Sequence, residues 1–319
     1  MSLPEITRLI QETEYKREID EMSFAFSGID LLEIALSWNL AKTYRSVLTI
    51  TFGELEEMTK SYLRRWDIQN VLTILRGKDQ NLKVGRIKEV LIPAGELDRA
   101  FLDKLLAEEN NDGVVAALKG WRLYPVLERE YPTAVERSSF SRLENELYKQ
   151  FYVEIIADGQ MVKGGKAFLD YIHMDIDVRN LQNLFRLKAQ GEKENIGEYL
   201  IPGGTFTVEE LVQLNTIENI DEFIDALEKK IRGKPLLSFL ENIRNKKIFQ
   251  NRTLHENEMA LLRIQLTQME RMMKLHPFTI WPILAYLESK KYEIFNLRAI
   301  TRGKEANLPM DRIKSYLVM

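Results

Sequence analysis

The chain has 319 residues, 45% hydrophobic and 29% charged, a balance that supports a large buried core and excludes a disordered chain. Lys and Arg number 45 against 48 Asp and Glu, so the net charge excludes a general nucleic-acid binder, which needs a basic excess to neutralise phosphates. With no cysteine, disulfides, thiol nucleophiles and Cys-type zinc clusters are excluded, and a reducing compartment is the natural setting.

Met1 to Asp20 alternates charged with apolar residues and carries no signal-peptide pattern. Ile29, Leu32, Leu36 and Leu40 then fall on one helical face behind a Ser27-x-x-Asp30 start signal. Ser46 to Phe52 alternates as a strand would, but nothing nearby offers it a partner. Phe140, Leu143, Leu147, Phe151 and Ile155 form a long stripe, opened by Ser141-x-x-Glu144 and expected to stop at Gly159. Thr207-x-x-Glu210 and Thr253-x-x-Glu256 are further capping boxes, the second opening a run through Met259, Leu262, Leu266, Met269 and Met273. The longest uncharged run, Leu275 to Leu287, holds two prolines and is too short to span a bilayer. The expected fold class is all-α.

One segment occurs three times. Asp67, Asn70, Arg76 and Lys78 recur as Asp177, Asn180, Arg186 and Lys188, and again as Glu293, Asn296, Arg302 and Lys304. The offsets are 110 and 116 residues, close to a third of the chain. After the first two copies, Ile92-Pro93-Ala94-Gly95 returns as Ile201-Pro202-Gly203-Gly204, while the third ends at Leu308-Pro309 and a short final helix. Three repeats are therefore expected, at 1–120, 121–230 and 231–319. Within the motif, Ile68, Val71, Ile74 and Leu75 share a face that packs inward. The asparagines lie off that stripe, and each is expected to tie the preceding helix end to its own helix through backbone hydrogen bonds. Gly77 and Gly303 are expected to mark where that helix loosens. Pro93, Gly95, Pro202 and Gly204 are expected to build equivalent turns, the glycines supplying positive φ.

Searches for chemistry fail. His255-Glu256 begins like a zinc-protease helix, but Met259 stands where the second histidine belongs. Lys163-Gly164-Gly165-Lys166 and Gly233-Lys234 lack P-loop spacing and read as turns, and Asn251-Arg252-Thr253 matches only a glycosylation sequon. No catalytic residue, metal site or cofactor is expected.

Tyr62 to Asp67 running into Asn70 and Leu75-Arg76-Gly77-Lys78, then Leu91 to Leu97, Asp177 to Leu181, and Ile283 to Leu287 with Glu293 to Arg298 and Arg302 to Ala306, together resemble the family of C subunits of archaeal A-type ATP synthases. That family includes the d subunit of eukaryotic V-ATPases. The resemblance covers the chain from about Glu14 onward and implies three similar helical domains around a pseudo-threefold axis, in a funnel. It implies a non-catalytic connector on the cytoplasmic face of the membrane. There it would couple the central-stalk axle subunits to the cytoplasmic loops of the proteolipid ring during proton or sodium transport. Members usually begin with a further helical segment, which leaves open whether the first repeat lacks a native N-terminal helix. The alternative is a generic all-helical repeat scaffold, whose units are usually far shorter than this period.

Overall fold

A computed structural model describes residues 2–192, 194–231 and 254–318, and every regular element among them is a helix. In chain order these are α1 (Leu3–Gln11), α2 (Lys16–Met22), α3 (Gly28–Ile50), α4 (Glu54–Leu63), α5 (Arg65–Asp79), α6 (Val84–Val90), α7 (Arg99–Ala107) and α8 (Asn111–Ala117). There follow α9 (Tyr124–Glu136), α10 (Ser141–Met161), α11 (Lys166–Ala189), a 3₁₀ turn (Ile196–Tyr199), α12 (Val208–Asn215) and α13 (Ile220–Ile231). The last described helices are α14 (Leu254–Leu275), α15 (Trp281–Glu305) and α16 (Met310–Ser315).

The chain divides into two compact units, 1–151 with 290–314 and 152–289 with 315–319, the divisions falling inside α10, α15 and the end of α16. In unit 1 Leu32, Leu36, Leu40 and Tyr44 of α3 and Tyr62, Ile68, Val71, Ile74 and Leu75 of α4 and α5 are all buried, and α3 packs mainly against α2 and α6. A polar seam joins its late segment to its beginning. The Lys290 ammonium, only 4% exposed, donates to the Tyr15 hydroxyl (2.7 Å) and pairs with Glu14, while that hydroxyl donates to Glu293 (2.6 Å). A buried ammonium is tolerated only with such partners. Unit 2 is centred on α11, whose Phe168, Tyr171, Ile172, Ile176, Leu181 and Leu184 are buried.

Several local signals resolve differently from expectation. Ser27 is the N-cap of α3 but makes no side-chain cap, and the Asp30 carboxylate pairs instead with Arg86. Ser46 to Ile50 is the end of α3, so the alternating stretch is helical. Gly159 does not stop α10, which runs on to Met161; a Cβ there would lie 2.8 Å from a Leu169 methyl, so its bareness lets α11 approach. The break comes at Gly164, whose φ of +79° suits only glycine. The Thr207–Glu210 box forms in both directions, at 3.2 and 3.0 Å. The buried face of α14 centres on Leu261, Ile264, Gln265 and Met269, leaving Leu262, Leu266 and Met273 half-buried. Gln265 is drawn inward because its amide donates to Asp175 (2.9 Å). Gly233-Lys234, Asn251-Arg252-Thr253 and the Thr253 half of the last capping box lie outside the described residues.

Candidate functional site

The repeated residues converge on a clamp that is built twice. Asp67 lies in the first turn of α5, 1% exposed, and its carboxylate accepts the N–H groups of Glu96 (2.9 Å) and Leu97 (3.0 Å). One turn on, Asn70 donates to the Ile92 carbonyl and accepts from the Ile92 N–H, both at 2.8 Å. Two side chains of one helix thus hold both ends of an extended segment. That segment has no ladder of its own, and its buried polar groups must find partners elsewhere. On α11 the same clamp recurs: Asp177 accepts the N–H groups of Thr205 (2.8 Å) and Phe206 (3.2 Å), and Asn180 exchanges two 2.8 Å bonds with Ile201.

The asparagines therefore bind the segment downstream, not the end of the helix before them. The expectation missed this because an amide can close a loop in either direction. The glycines also act differently from expectation. Neither Gly95 nor Gly204 has positive φ. A Cβ on Gly95 would overlap the Asp67 carboxylate, and one on Gly204 the Asp177 carboxylate. The bare backbone lets the carboxylate reach the amides behind it. Only Gly203, where the first copy has Ala94, takes a left-handed φ, +100°. Pro93 and Pro202 sit inside the clamped segments, outside any helix, where a missing N–H costs nothing.

The basic residues have separate tasks. Lys78 donates to the carbonyls of Leu106 (3.0 Å) and Glu108, and Lys188 to those of Asn215 (3.3 Å) and Ile217. These carbonyls end α7 and α12, where the helix dipole favours a cation. The arginines reach other helices. Arg76 pairs with Glu144 of α10 (2.6 Å), Arg186 with Glu258 of α14 (2.7 Å) and Arg302 with Glu33 of α3 (2.6 Å). Each glutamate lies within the first two turns of its helix. Assigned to the thirds of the chain, the links run from first to second, second to third, and third back to first. Arg298 also reaches Glu33 (3.0 Å) and donates to Ser37 (2.6 Å), burial holding its guanidinium below the usual arginine range.

Gly77 and Gly303 do not loosen their helices, which continue to Asp79 and Glu305. A Cβ at either would fall 2.6–2.7 Å from the side chain of Ile87 or Ile313, so each glycine is a socket for an isoleucine. All three copies end alike. Asn81, Gly191 and Asn307 take φ of +55°, +69° and +53°. The following N–H of Leu82, Glu192 or Leu308 returns to the carbonyl of residue 77, 187 or 303, at 2.8, 3.0 and 2.8 Å, a Schellman cap. Sequence reasoning missed these caps and the three glutamate partners. The Asn/Gly/Asn correspondence at 81, 191 and 307 was the available signal for the caps. The third copy departs from the clamp: Glu293 is exposed toward Lys290 and Tyr15, Asn296 and Lys304 are half-buried, and α16 follows directly.

Burial pushes the Asp67 carboxyl up to about 7, against the pull of the Leu97 and Glu96 N–H groups. That perturbation belongs to a clamped structural carboxylate: both its oxygens are occupied by backbone amides. Lys163 to Lys166 is the turn between α10 and α11. The His255 ring lies 4.5 Å from the Tyr316 ring, tilted by 45°. Among the described residues no His, Cys, Asp or Glu group could hold a metal, and no helix is long and apolar enough to cross a membrane. The arrangement binds the chain to itself.

Comparison with known proteins gives a consistent result. A family model described as ATP synthase (C/AC39) subunit matches residues 1–316. Among curated proteins, the C subunit of the A-type ATP synthase of Methanococcoides burtonii is 35% identical over 323 residues, covering 100% of this chain and 87% of that protein. The corresponding protein of Methanosarcina acetivorans is 38% identical, covering 100% and 86%, and that of Archaeoglobus fulgidus 33% identical, covering 100% and 89%.

Proposed function

The chain belongs to the ATP synthase (C/AC39) subunit family, and on that premise we propose that it is the connector joining the central-stalk axle to the membrane proteolipid ring. It is a structural subunit of an ATP synthase rather than the catalytic one. The observation that carries the proposal is the family match over nearly the whole chain. In this reading the three repeats at 1–120, 121–230 and 231–319 derive from one unit. The protein sits peripherally on the cytoplasmic face, receives the axle, and contacts the cytoplasmic loops of the ring while protons or sodium ions move. The motif residues clamp the first two repeats internally, and an arginine in each of the three reaches a helix of the next, as a torque-bearing part needs. The succession of arginine links supports this over an open-ended repeat scaffold. A scaffold's neighbour contacts stop at its ends, whereas Arg302 returns to Glu33.

The test is affinity purification of the full chain from a detergent extract of its own cells. Axle and ring subunits should both be retained. Recovery of neither, with the chain intact and abundant, overturns the connector reading. The purified chain alone should show no ATP turnover.

A further inference from the structure

Unit 2 carries an apolar tip that folding does not use. Two connectors lie at this end, the turn between α10 and α11 and the turn between α14 and α15. α14 runs antiparallel to α11, because Gln265 bonds Asp175 while Glu258, earlier in α14, pairs with Arg186, later in α11. From the 175–265 pair, Lys166 and Lys274 are each nine residues away, about 13–14 Å in the same direction at the helical rise. The Trp281 ring packs edge-on against Tyr171 at 6.1 Å, which holds Phe278 at that same end.

At this tip Phe278 is 98% exposed, Met161 88% and Leu275 59%. Phe278 projects from a hydrogen-bonded turn, and Met161 and Leu275 from the ends of α10 and α14. Pro277 precedes Phe278, the Thr279 hydroxyl donates to the His276 carbonyl (2.8 Å) and accepts the Trp281 N–H (3.3 Å), and Gly165 is pressed against the Gly159 carbonyl. Little ordering remains to be done on binding. The same two connectors and their flanking helix ends carry Lys163, Lys166 and Lys274, all exposed. Residues 161–166 and 272–280 contain no carboxylate; the nearest in sequence are Asp158, Asp170 and Glu270.

We propose that this tip docks directly on an anionic lipid surface. Phe278, Met161 and Leu275 enter the boundary between headgroups and acyl chains, and the three ammonium groups meet lipid phosphates. The charge decides the occupant. Three exposed ammonium groups and no carboxylate accompany exposed Phe278, Met161 and Leu275 in the two connectors, a pairing complementary to lipid phosphates above an acyl layer. Lysine stems lie along the apolar layer with their charges at the phosphates.

The experiment uses the full chain and sedimentation with vesicles of phosphatidylcholine, with or without phosphatidylglycerol. Binding is expected to the anionic vesicles, to weaken with added salt, and to fall at least roughly tenfold in F278S/M161S, the least that removing two partly inserted apolar groups from the interface should cost. K163Q/K166Q/K274Q should weaken binding and remove its salt dependence. Because all five residues are exposed, both variants should melt with the wild type, which separates docking from folding. No association with either vesicle, or association untouched by F278S/M161S, overturns the proposal. So does retention of a purified protein partner through Phe278 without any vesicle binding. The connector reading does not depend on this result.

Discussion

The clamp of α5 and the clamp of α11 make the same bonds on different backbones. In unit 1 the helix is broken at Arg64, so that α4 and α5 meet at a joint, and the Arg65 guanidinium lies 4.0 Å over the Tyr62 ring and donates to the Tyr62 carbonyl (3.2 Å). In unit 2 one helix runs unbroken from Lys166 to Ala189. Ala94 gives way to Gly203 with positive φ, Glu96 to Thr205, whose hydroxyl adds a bond to Asp177, and the Gly77 socket to Leu187. What survives is the set of contacts that no neighbour can replace: Asp to two amides, Asn to one peptide unit, Lys to a helix end. Buried polar backbone demands partners of fixed geometry, while apolar packing accepts exchanges of shape.

The sharpest way to break this comparison is to fill the gap beneath each carboxylate. Gly95→Ala and Gly204→Ala should each destabilise by about 2–4 kcal/mol, because the new methyl must displace a buried, fully bonded aspartate. Urea melts of the two variants should agree; a neutral Gly204→Ala beside a damaging Gly95→Ala would show that the two clamps are not equivalent.

Removing the amides comes next. Asn70→Ala and Asn180→Ala should each cost about 1–3 kcal/mol by leaving a buried N–H and carbonyl unmet. Asn296→Ala should cost less, since that residue is only half-buried. Equal losses at all three positions, read as denaturant midpoints, would extend the clamp to the third copy.

Acid–base linkage sharpens the comparison at Asp67. Its carboxyl titrates at about 7 in the folded chain against an ordinary 3.8. The folded state therefore binds the proton more tightly. The stability this group contributes is fully present below the ordinary value and is lost as pH rises through about 7. Asp67→Asn should flatten that dependence: unfolding free energies at about pH 4.5 and about pH 7.5, on either side of most of that window, should differ less in the variant than in the wild type.

The smallest effects belong to the arginine links. Arg76→Gln and Arg186→Gln break partly exposed pairs and should cost at most about 1 kcal/mol each. Arg302→Gln should cost no more, because Arg298 still faces Glu33. A loss above about 3 kcal/mol in thermal melts, the scale of a broken buried pair, would mean that these links carry the fold rather than join its parts.

The aliphatic stripe from Ile68 to Leu75 and the threefold recurrence of the motif were both visible in the residues, and the stripe is buried as its spacing implies. Helix type is set by local periodicity, and recurrence is a property of the letters alone. The family resemblance was legible for the same reason, since it rests on short contiguous strings. What the asparagines hold was not legible, because Asn70 and Ile92 are 22 residues apart and an amide's partner is chosen by the fold. Nor was the purpose of Gly95, which reads as a turn glycine until Asp67 is seen behind it. The sequence by itself determined that this chain is helical and carries a repeated motif, because these follow from period, spacing and residue type. The tertiary structure alone decided the clamps, the isoleucine sockets, the return of Arg302 to Glu33 and the bare tip at Phe278. Each depends on distance through space between residues far apart in the chain, and no local preference encodes that.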